Sequence, residues 1–196
     1  MDVDDSRLIV QCRNGEEEGF RLLLGRYEAY IYRLCRRLTG HPEDALELTQ
    51  EVFLKIVTGL EGFQVNRPFK PWLRRLTVNT CINFLRSRGR EVLILDEPAG
   101  SNPSRVTPAA PVKTDPQVRA EWIETCLTLQ SAIERLPPPH RLVLVLRHQE
   151  EMNYQEIAEV TGLPLGTVKT YLFRARGKLR QLLSDAYGWE ETENEL

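Results

Sequence analysis

Residues 67–90 read RPFKPWLRRLTVNTCINFLRSRGR, a run with seven basic residues (Arg67, Lys70, Arg74, Arg75, Arg86, Arg88 and Arg90) and no carboxylate. Steps of four and three return to one side of an α-helix. Helical winding therefore gathers Arg75, Asn79, Asn83, Arg86 and Arg90 on one narrow face, with Trp72 at its head. Phe69, Leu73, Leu76, Cys81, Phe84 and Leu85 fall on a broad apolar side that packs inward. A solvated face is the ordinary fate of a scattered charge run. Ordinary surfaces mix both signs, however, and a one-sign stripe interleaved with two amides and an indole suits a polyanion. Arginine grips phosphate, asparagine pairs with a base edge, and an indole stacks on an unpaired base. Trp72 also reads as a core residue, and the two readings stand side by side here.

The chain as a whole is not basic. Its 26 Lys and Arg stand against 28 Asp and Glu, a net charge of −2, so positive charge is segregated into local clusters. With 196 residues there is room for one domain or two small ones. Cys12, Cys35, Cys81 and Cys126 lie far apart with no C-x-x-C, which fits a reduced, cytoplasmic protein better than a disulfide framework. His41, His140 and His148 form no ligand cluster with them, so neither a metal nor a cofactor is expected. No apolar run approaches the ~20 residues of a membrane span and no signal peptide is evident, so membrane insertion is not expected.

Outward from the basic stretch, the first half reads as helix after helix. Asp5 and Ser6 cap a short helix that Asn14-Gly15 ends. Residues 16–38 form a longer one that buries Phe20, Leu23, Leu24, Tyr27, Ile31, Leu34, Cys35 and Leu38. Pro42, Glu43 and Asp44 suit the first turn of a third helix over residues 42–60. Its inner side holds Leu48, Val52, Phe53, Ile56 and Val57, and its outer side Asp44, Glu47, Gln50, Glu51 and Lys55. A loop, EGFQVNRP, carries Asn66 and Arg67 into the basic helix, and VLIL at 92–95 is the one short strand signal.

Residues 96–116, DEPAGSNPSRVTPAAPVKTDP, lack aromatic side chains and read as a flexible linker. Beyond it, residues 117–136 read as a helix with Trp122, Ile123, Leu127, Leu129, Ile133 and Leu136 largely inward, stopped by Pro137, Pro138 and Pro139. A second helix spans about 140–148. Residues 154–160, a Thr161-Gly162 turn, and a helix from Pro164 to about Leu183 have the spacing of a helix-turn-helix. Ala158 is small where the helices touch, Gly162 takes the turn, and Val168 seals the interface. Val168, Leu172, Ala175, Leu179 and Leu182 form the inward stripe. Thr167, Thr170, Phe173 and Arg174 point outward, flanked by Lys169, Arg176, Lys178 and Arg180. Five basic residues and no acid between Leu163 and Gln181 favour DNA as the ligand over a plain helical hairpin. The fold class expected is all-α, with two small helical domains (1–95 and 117–187), the linker between them, and an acidic tail at 188–196.

DALELTQEVFLKIV, the basic stretch, and RLPPPHRLVLVLRHQEEMNYQEIAEVTGLPLGTVKTYLFRARGKLRQLL, in that order, resemble the extracytoplasmic-function sigma factors of the sigma-70 family. The resemblance implies a dissociable specificity subunit of bacterial RNA polymerase with two promoter-reading domains. Core RNA polymerase, through the largest-subunit clamp and the flap, and promoter DNA are the implied partners, and an anti-sigma factor is a further candidate. Asp44, Glu47, Gln50, Glu51 and Lys55 fall in the segment that docks on the clamp. The loop with Asn66 and Arg67 falls where a flipped base of the −10 element is held, and Trp72, Arg75, Asn79, Asn83, Arg86 and Arg90 fall on the helix that handles the duplex edge. Thr167, Lys169, Thr170, Phe173, Arg174, Arg176 and Lys178 fall in the −35 reading helix. This chain departs from the family pattern at Trp72-Leu73, where primary sigma factors have a tryptophan pair, at Thr49, where a hydrophobic residue is usual, and at Asn83, where Asp is usual.

An enzyme is not expected, because no nucleophile–base pair, phosphate-cradling glycine loop or ligand cluster appears. A helix-turn-helix regulator acting outside the polymerase explains residues 154–180 but leaves the stripe from Arg75 to Arg90 without a task. An interaction protein whose helices bundle only with a partner is the third reading.

Overall fold

A computed structural model of the chain describes residues 4–87 and 116–187. The described residues form eight helices, α1 (Asp5–Arg13), α2 (Glu17–Thr39), α3 (Pro42–Gly59), α4 (Phe69–Ser87), α5 (Pro116–Glu134), α6 (Pro138–His148), α7 (Tyr154–Thr161) and α8 (Leu165–Tyr187), and no strand. They make two compact helical units, the first holding α1–α4 and the second α5, α6, α8 and most of α7. The VLIL segment, all but the last residue of the expected linker, Arg90 and the acidic tail lie outside the described residues.

In the first unit, α2 packs against α1, α3 and α4. Leu23, Ile31, Leu34, Cys35 and Leu38 recur at helical spacing and are buried. The close crossing of α1 and α2 requires Gly19, where an added Cβ would stand 2.6 Å from the Gln11 Cβ. Gly40 ends α2 in the left-handed region at φ 81°, its N–H donating to the Arg36 carbonyl. Pro42 then opens α3, where a missing N–H costs nothing. Between α2 and α4 the buried Cys35 and Cys81 sulfurs lie 3.7 Å apart as free thiols. The hydrogen bond with Cys35, reinforced by burial, holds the Cys81 thiol above its ordinary range.

In the second unit, α5 and α6 pack on α8 around Ala132, Leu136, Leu144, Ala175 and Leu182. Arg141, itself buried, donates to the Glu134 carbonyl at 2.8 Å and so closes the C-terminal end of α5. Three expectations are corrected here. Trp122, Ile123 and Leu127 are exposed, Leu127 to 63%, because only the last turns of α5 reach the shared core. Pro138 and Pro139 sit inside the first turn of α6, where proline is tolerated, so the helix starts two residues before His140. Finally, α8 runs on to Tyr187 rather than ending near Leu183.

The two faces of α3 differ in a way stability measurements resolve. Leu48 is fully buried, so Leu48→Ala should destabilise the first unit by about 2–5 kcal/mol. Leu54 is 69% exposed, and Leu54→Ala should shift stability by less than about 0.5 kcal/mol. Urea denaturation followed by circular dichroism checks the pair, and equal losses would reverse the assignment of faces.

Candidate nucleic-acid interface

On α4, Arg75, Asn79, Asn83 and Arg86 are exposed and share one face, while Leu73, Val78, Cys81, Ile82 and Leu85 are buried on the other. Lys70 lies over the Tyr30 ring, 5.4 Å from its centroid. The loop ahead of α4 is tied down by aromatic packing. Phe63 is buried, with its ring 5.6 Å from Phe69 and 5.2 Å from Trp72, and Tyr27 meets Phe69 edge-on at 5.2 Å. The Arg13 guanidinium reaches from α1 to the Leu60 carbonyl at 2.9 Å and to the Phe63 carbonyl, fixing the loop's start. Asn66 and Arg67 are exposed on it. Trp72 is half-buried, 5.4 Å from Phe69, and a Cβ at Gly59 would lie 3.0 Å from its ring. Its indole therefore anchors the loop through its packed side, with part of the ring left open.

The outer face of α3 is not the one expected in full. Glu47 and Gln50 are exposed, and Glu51 and Lys55 are half-buried in an ion pair at 2.7 Å. Lys55 also donates to the Thr80 hydroxyl of α4 at 3.1 Å. Asp44 is corrected, being only 6% exposed, because it lies one turn before Leu48 on the packed side. Val57 is corrected in the other direction, since it is exposed. With Leu46, Gln50 and Leu54 it forms an exposed, largely apolar stripe that sequence reading missed. The signal was present, for steps of four, four and three run from Leu46 to Val57 opposite the buried Leu48, Val52 and Ile56.

In the second unit a capping box sets the entry to the helix-turn-helix. The Asn153 side chain accepts from the backbone N–H groups of Gln155 (2.9 Å) and Glu156 (3.0 Å), and Glu156 accepts from the Asn153 N–H at 2.7 Å. Arg147 braces the same corner, donating to the Met152 carbonyl at 2.9 Å and lying 5.1 Å from the Tyr154 ring centre. Gly162 turns the chain at φ 70°. On α8, Val168, Leu172, Ala175 and Leu182 are buried, while Lys169, Phe173, Lys178 and Arg180 are exposed and Thr167, Arg174 and Arg176 half-buried. Thr170 is corrected, for it is 7% exposed and its hydroxyl donates to the Gly166 carbonyl at 3.0 Å. A threonine inside a helix spends its hydroxyl this way, and the residue leaves the outward set. His148 accepts from the Arg176 guanidinium at 3.2 Å, and His140 stacks edge-on against Tyr171 at 5.4 Å. Desolvation, then the Arg176 and Arg147 charges, hold His148 below the ordinary imidazole range, and desolvation with Arg174 does the same to His140.

Among the described residues no group of three or more His, Cys, Asp or Glu could hold a metal ion, and no helix is long and apolar enough to cross a membrane.

Comparison with known proteins matches both halves of the chain. Residues 23–91 match Sigma-70 region 2, and residues 126–179 match Sigma-70, region 4. The chain is 31% identical to the ECF RNA polymerase sigma factor SigW of Bacillus subtilis over 94% of its own length and all of that protein's. It is also 31% identical to the RNA polymerase sigma-H factor of Pseudomonas aeruginosa, over 91% of this chain and 93% of the other. Its fold is similar to that of the sigma factor RpoE from Bartonella quintana, solved with the anti-sigma factor NepR, at TM-score 0.54 and 23% identity over 84% of this chain and 96% of that one. With region 2 ahead of region 4 and the whole of a 31% identical relative aligned, the chain belongs to the extracytoplasmic-function sigma factors of the sigma-70 family.

Proposed function

We propose that this chain is an alternative sigma factor that binds core RNA polymerase and directs transcription from a restricted set of promoters, without catalysis of its own. The observation that carries the reading is the pairing of an exposed Arg–Asn stripe on α4 with a helix-turn-helix, α7 and α8, later in the chain. A regulator acting outside the polymerase needs only the second. In this reading residues 1–95 bind core and the −10 element, residues 96–116 tether, and residues 117–187 read the −35 element, leaving 188–196 as an acidic tail. Its place of action is the cytoplasm, with core polymerase, through the clamp and flap, and promoter DNA as partners. An anti-sigma partner, such as the one named with the Bartonella quintana relative, is part of the same reading. The purified chain mixed with core polymerase and a promoter library should start transcripts from a small subset of sequences. Sequence-specific DNA binding without core-dependent initiation would favour the free regulator instead.

Core docking is assigned to the outer face of α3, where Leu46, Leu54 and Val57 supply apolar area and Glu47, Gln50, Glu51 and Lys55 a polar margin. Exposed apolar residues contiguous on one face mark protein contacts. Gln50→Ala combined with Leu54→Ala should weaken association with core about tenfold or more, since loss of one central interface anchor costs roughly 2 kcal/mol. A pull-down against core measures it, with the circular dichroism melt unchanged.

Duplex opening is assigned to Asn66 and Arg67 on the loop and to Trp72, Arg75, Asn79, Asn83, Arg86 and Arg90 at the duplex edge. Asn66→Ala should lower permanganate reactivity of the melted strand while leaving the melting temperature in place, because its side chain is exposed. Trp72→Ala should lower both, since the same ring packs on Phe63 and Phe69 and its open part is free to stack, each function worth about 1–3 kcal/mol. A well-folded Trp72→Ala protein that opens DNA fully would remove Trp72 from the site.

Reading of the −35 element is assigned to Thr167, Phe173 and Arg174 on the outward first turns of α8, with Lys169, Arg176 and Lys178 on phosphates. Arg174→Ala should change sequence preference, at about 1–3 kcal/mol for one base pair if its contact is bidentate. Lys178→Ala should weaken all sequences alike and reduce the salt slope by about one ion. Selection from randomised duplexes at two salt concentrations separates the two, and a uniform loss for Arg174→Ala would make it a phosphate clamp.

A further inference from the structure

We infer that His148 is a DNA-backbone contact that acts jointly with Arg176, the two holding one phosphate between them on the flank of the reading helix. This rests on the assignment of α8 to DNA. The two side chains come from different helices, α6 and α8, and meet at 3.2 Å through Arg176 Nη2 and His148 Nε2. A guanidinium can only donate, so Nε2 accepts and the imidazole proton resides on Nδ1. Arg176 Nη1 is itself buried and meets no hydrogen-bond partner among the described residues, so the half-buried guanidinium is short of partners and must turn outward to meet an anion on the His148 side. His148 is exposed, so an anion can reach the pair.

A phosphate arriving here replaces the Arg–His hydrogen bond with two. Arg176 turns its N–H to one phosphate oxygen, and Nε2 takes a proton from solvent and donates it to another. Binding thereby consumes one proton. In the free protein the charged groups acting on His148 are Arg176 across from it on α8 and Arg147 beside it on α6, both cationic, and desolvation works in the same direction. The free imidazole is held neutral at physiological pH, and the phosphate raises its proton affinity. Affinity should therefore rise as pH falls from about 7.5 towards the free-state value, by at most about tenfold per pH unit for one proton, and level off below it.

The experiment measures binding of the full chain to a short duplex of random sequence, at fixed salt, between about pH 8 and about pH 6. Calorimetry in two buffers of different ionisation enthalpy counts the protons. Wild type should take up close to one proton and bind several-fold tighter at the acid end, whereas His148→Gln should bind with a flattened profile. His140→Gln should keep the wild-type slope, because His140 is packed against Tyr171 and stands beside Arg174 rather than Arg176. A pH profile unchanged by His148→Gln, or no proton uptake by wild type, overturns the inference. If instead duplex binding is indifferent to Arg174→Ala, Lys178→Ala and salt, the assignment of α8 itself fails, and the two failures are told apart.

Discussion

Every helix that offers a polar face to a partner must bury its other face, and in the first unit that requirement converges on α2. Leu23, Ile31, Leu34, Cys35 and Leu38 lie fully or almost fully inside, against three neighbouring helices. Because α2 takes up the apolar sides of α3 and α4 together, the exposed sides of those two helices stay fixed relative to each other. The Lys55–Thr80 bond ties them directly. The exposed stripe of α3 and the exposed Arg–Asn stripe of α4 are thus carried on one packed block, and loss of the α2 core would blur both.

Hydroxyls inside this block are spent on the backbone of their own helices. Thr39, Thr49, Thr77 and Thr80 are all buried, and each donates to the carbonyl four residues earlier, at 3.0, 2.6, 2.8 and 2.9 Å. A buried hydroxyl without a partner costs roughly 1–3 kcal/mol, and the local bond removes that cost while its methyl packs like a hydrophobe. Thr49, where a hydrophobic residue is usual in the family, is therefore a conservative filling of the same space. The cost falls on helix straightness rather than on core polarity.

The same chemistry explains what was and was not legible in the sequence. Helix order, the left-handed turn at Gly162, the one-sign face of α4 and the inward stripe of α8 follow from period and composition, and all are present. Thr170 read as outward because a hydroxyl looks polar, yet back-bonding to Gly166 made it an interior residue. Asp44 misled for a related reason. A first-turn carboxylate satisfies the helix dipole whether or not it faces solvent, so its charge gave no information about direction. Conversely, Val57, Trp122, Ile123 and Leu127 read as buried because apolar side chains usually are, and a helix offering apolar residues on two sides does not announce which is covered. The capping box at Asn153 and Glu156 was written in the sequence as N-x-x-E and went unread. Its partner in the fold, the Arg147 brace, spans five residues through a non-helical corner and has no sequence period to betray it.

Charge placement gives the last constraint. A chain of net charge −2 is not drawn to DNA by its overall field, so attraction has to be local and close. The cations of α8 stand on a helix without a carboxylate before Asp185, and those of α4 on a helix with none at all. Such one-sign stretches act at short range, since screening limits them to a Debye length of about 8 Å at physiological salt. The acidic residues are displaced to other elements, among them the paired Glu51 of α3, whose ion pair with Lys55 turns a cation away from the DNA-binding role and into a strut between helices. Segregation of this kind makes binding strongly dependent on orientation. A weakly acidic protein can then hold a phosphate backbone through the faces that carry these cations.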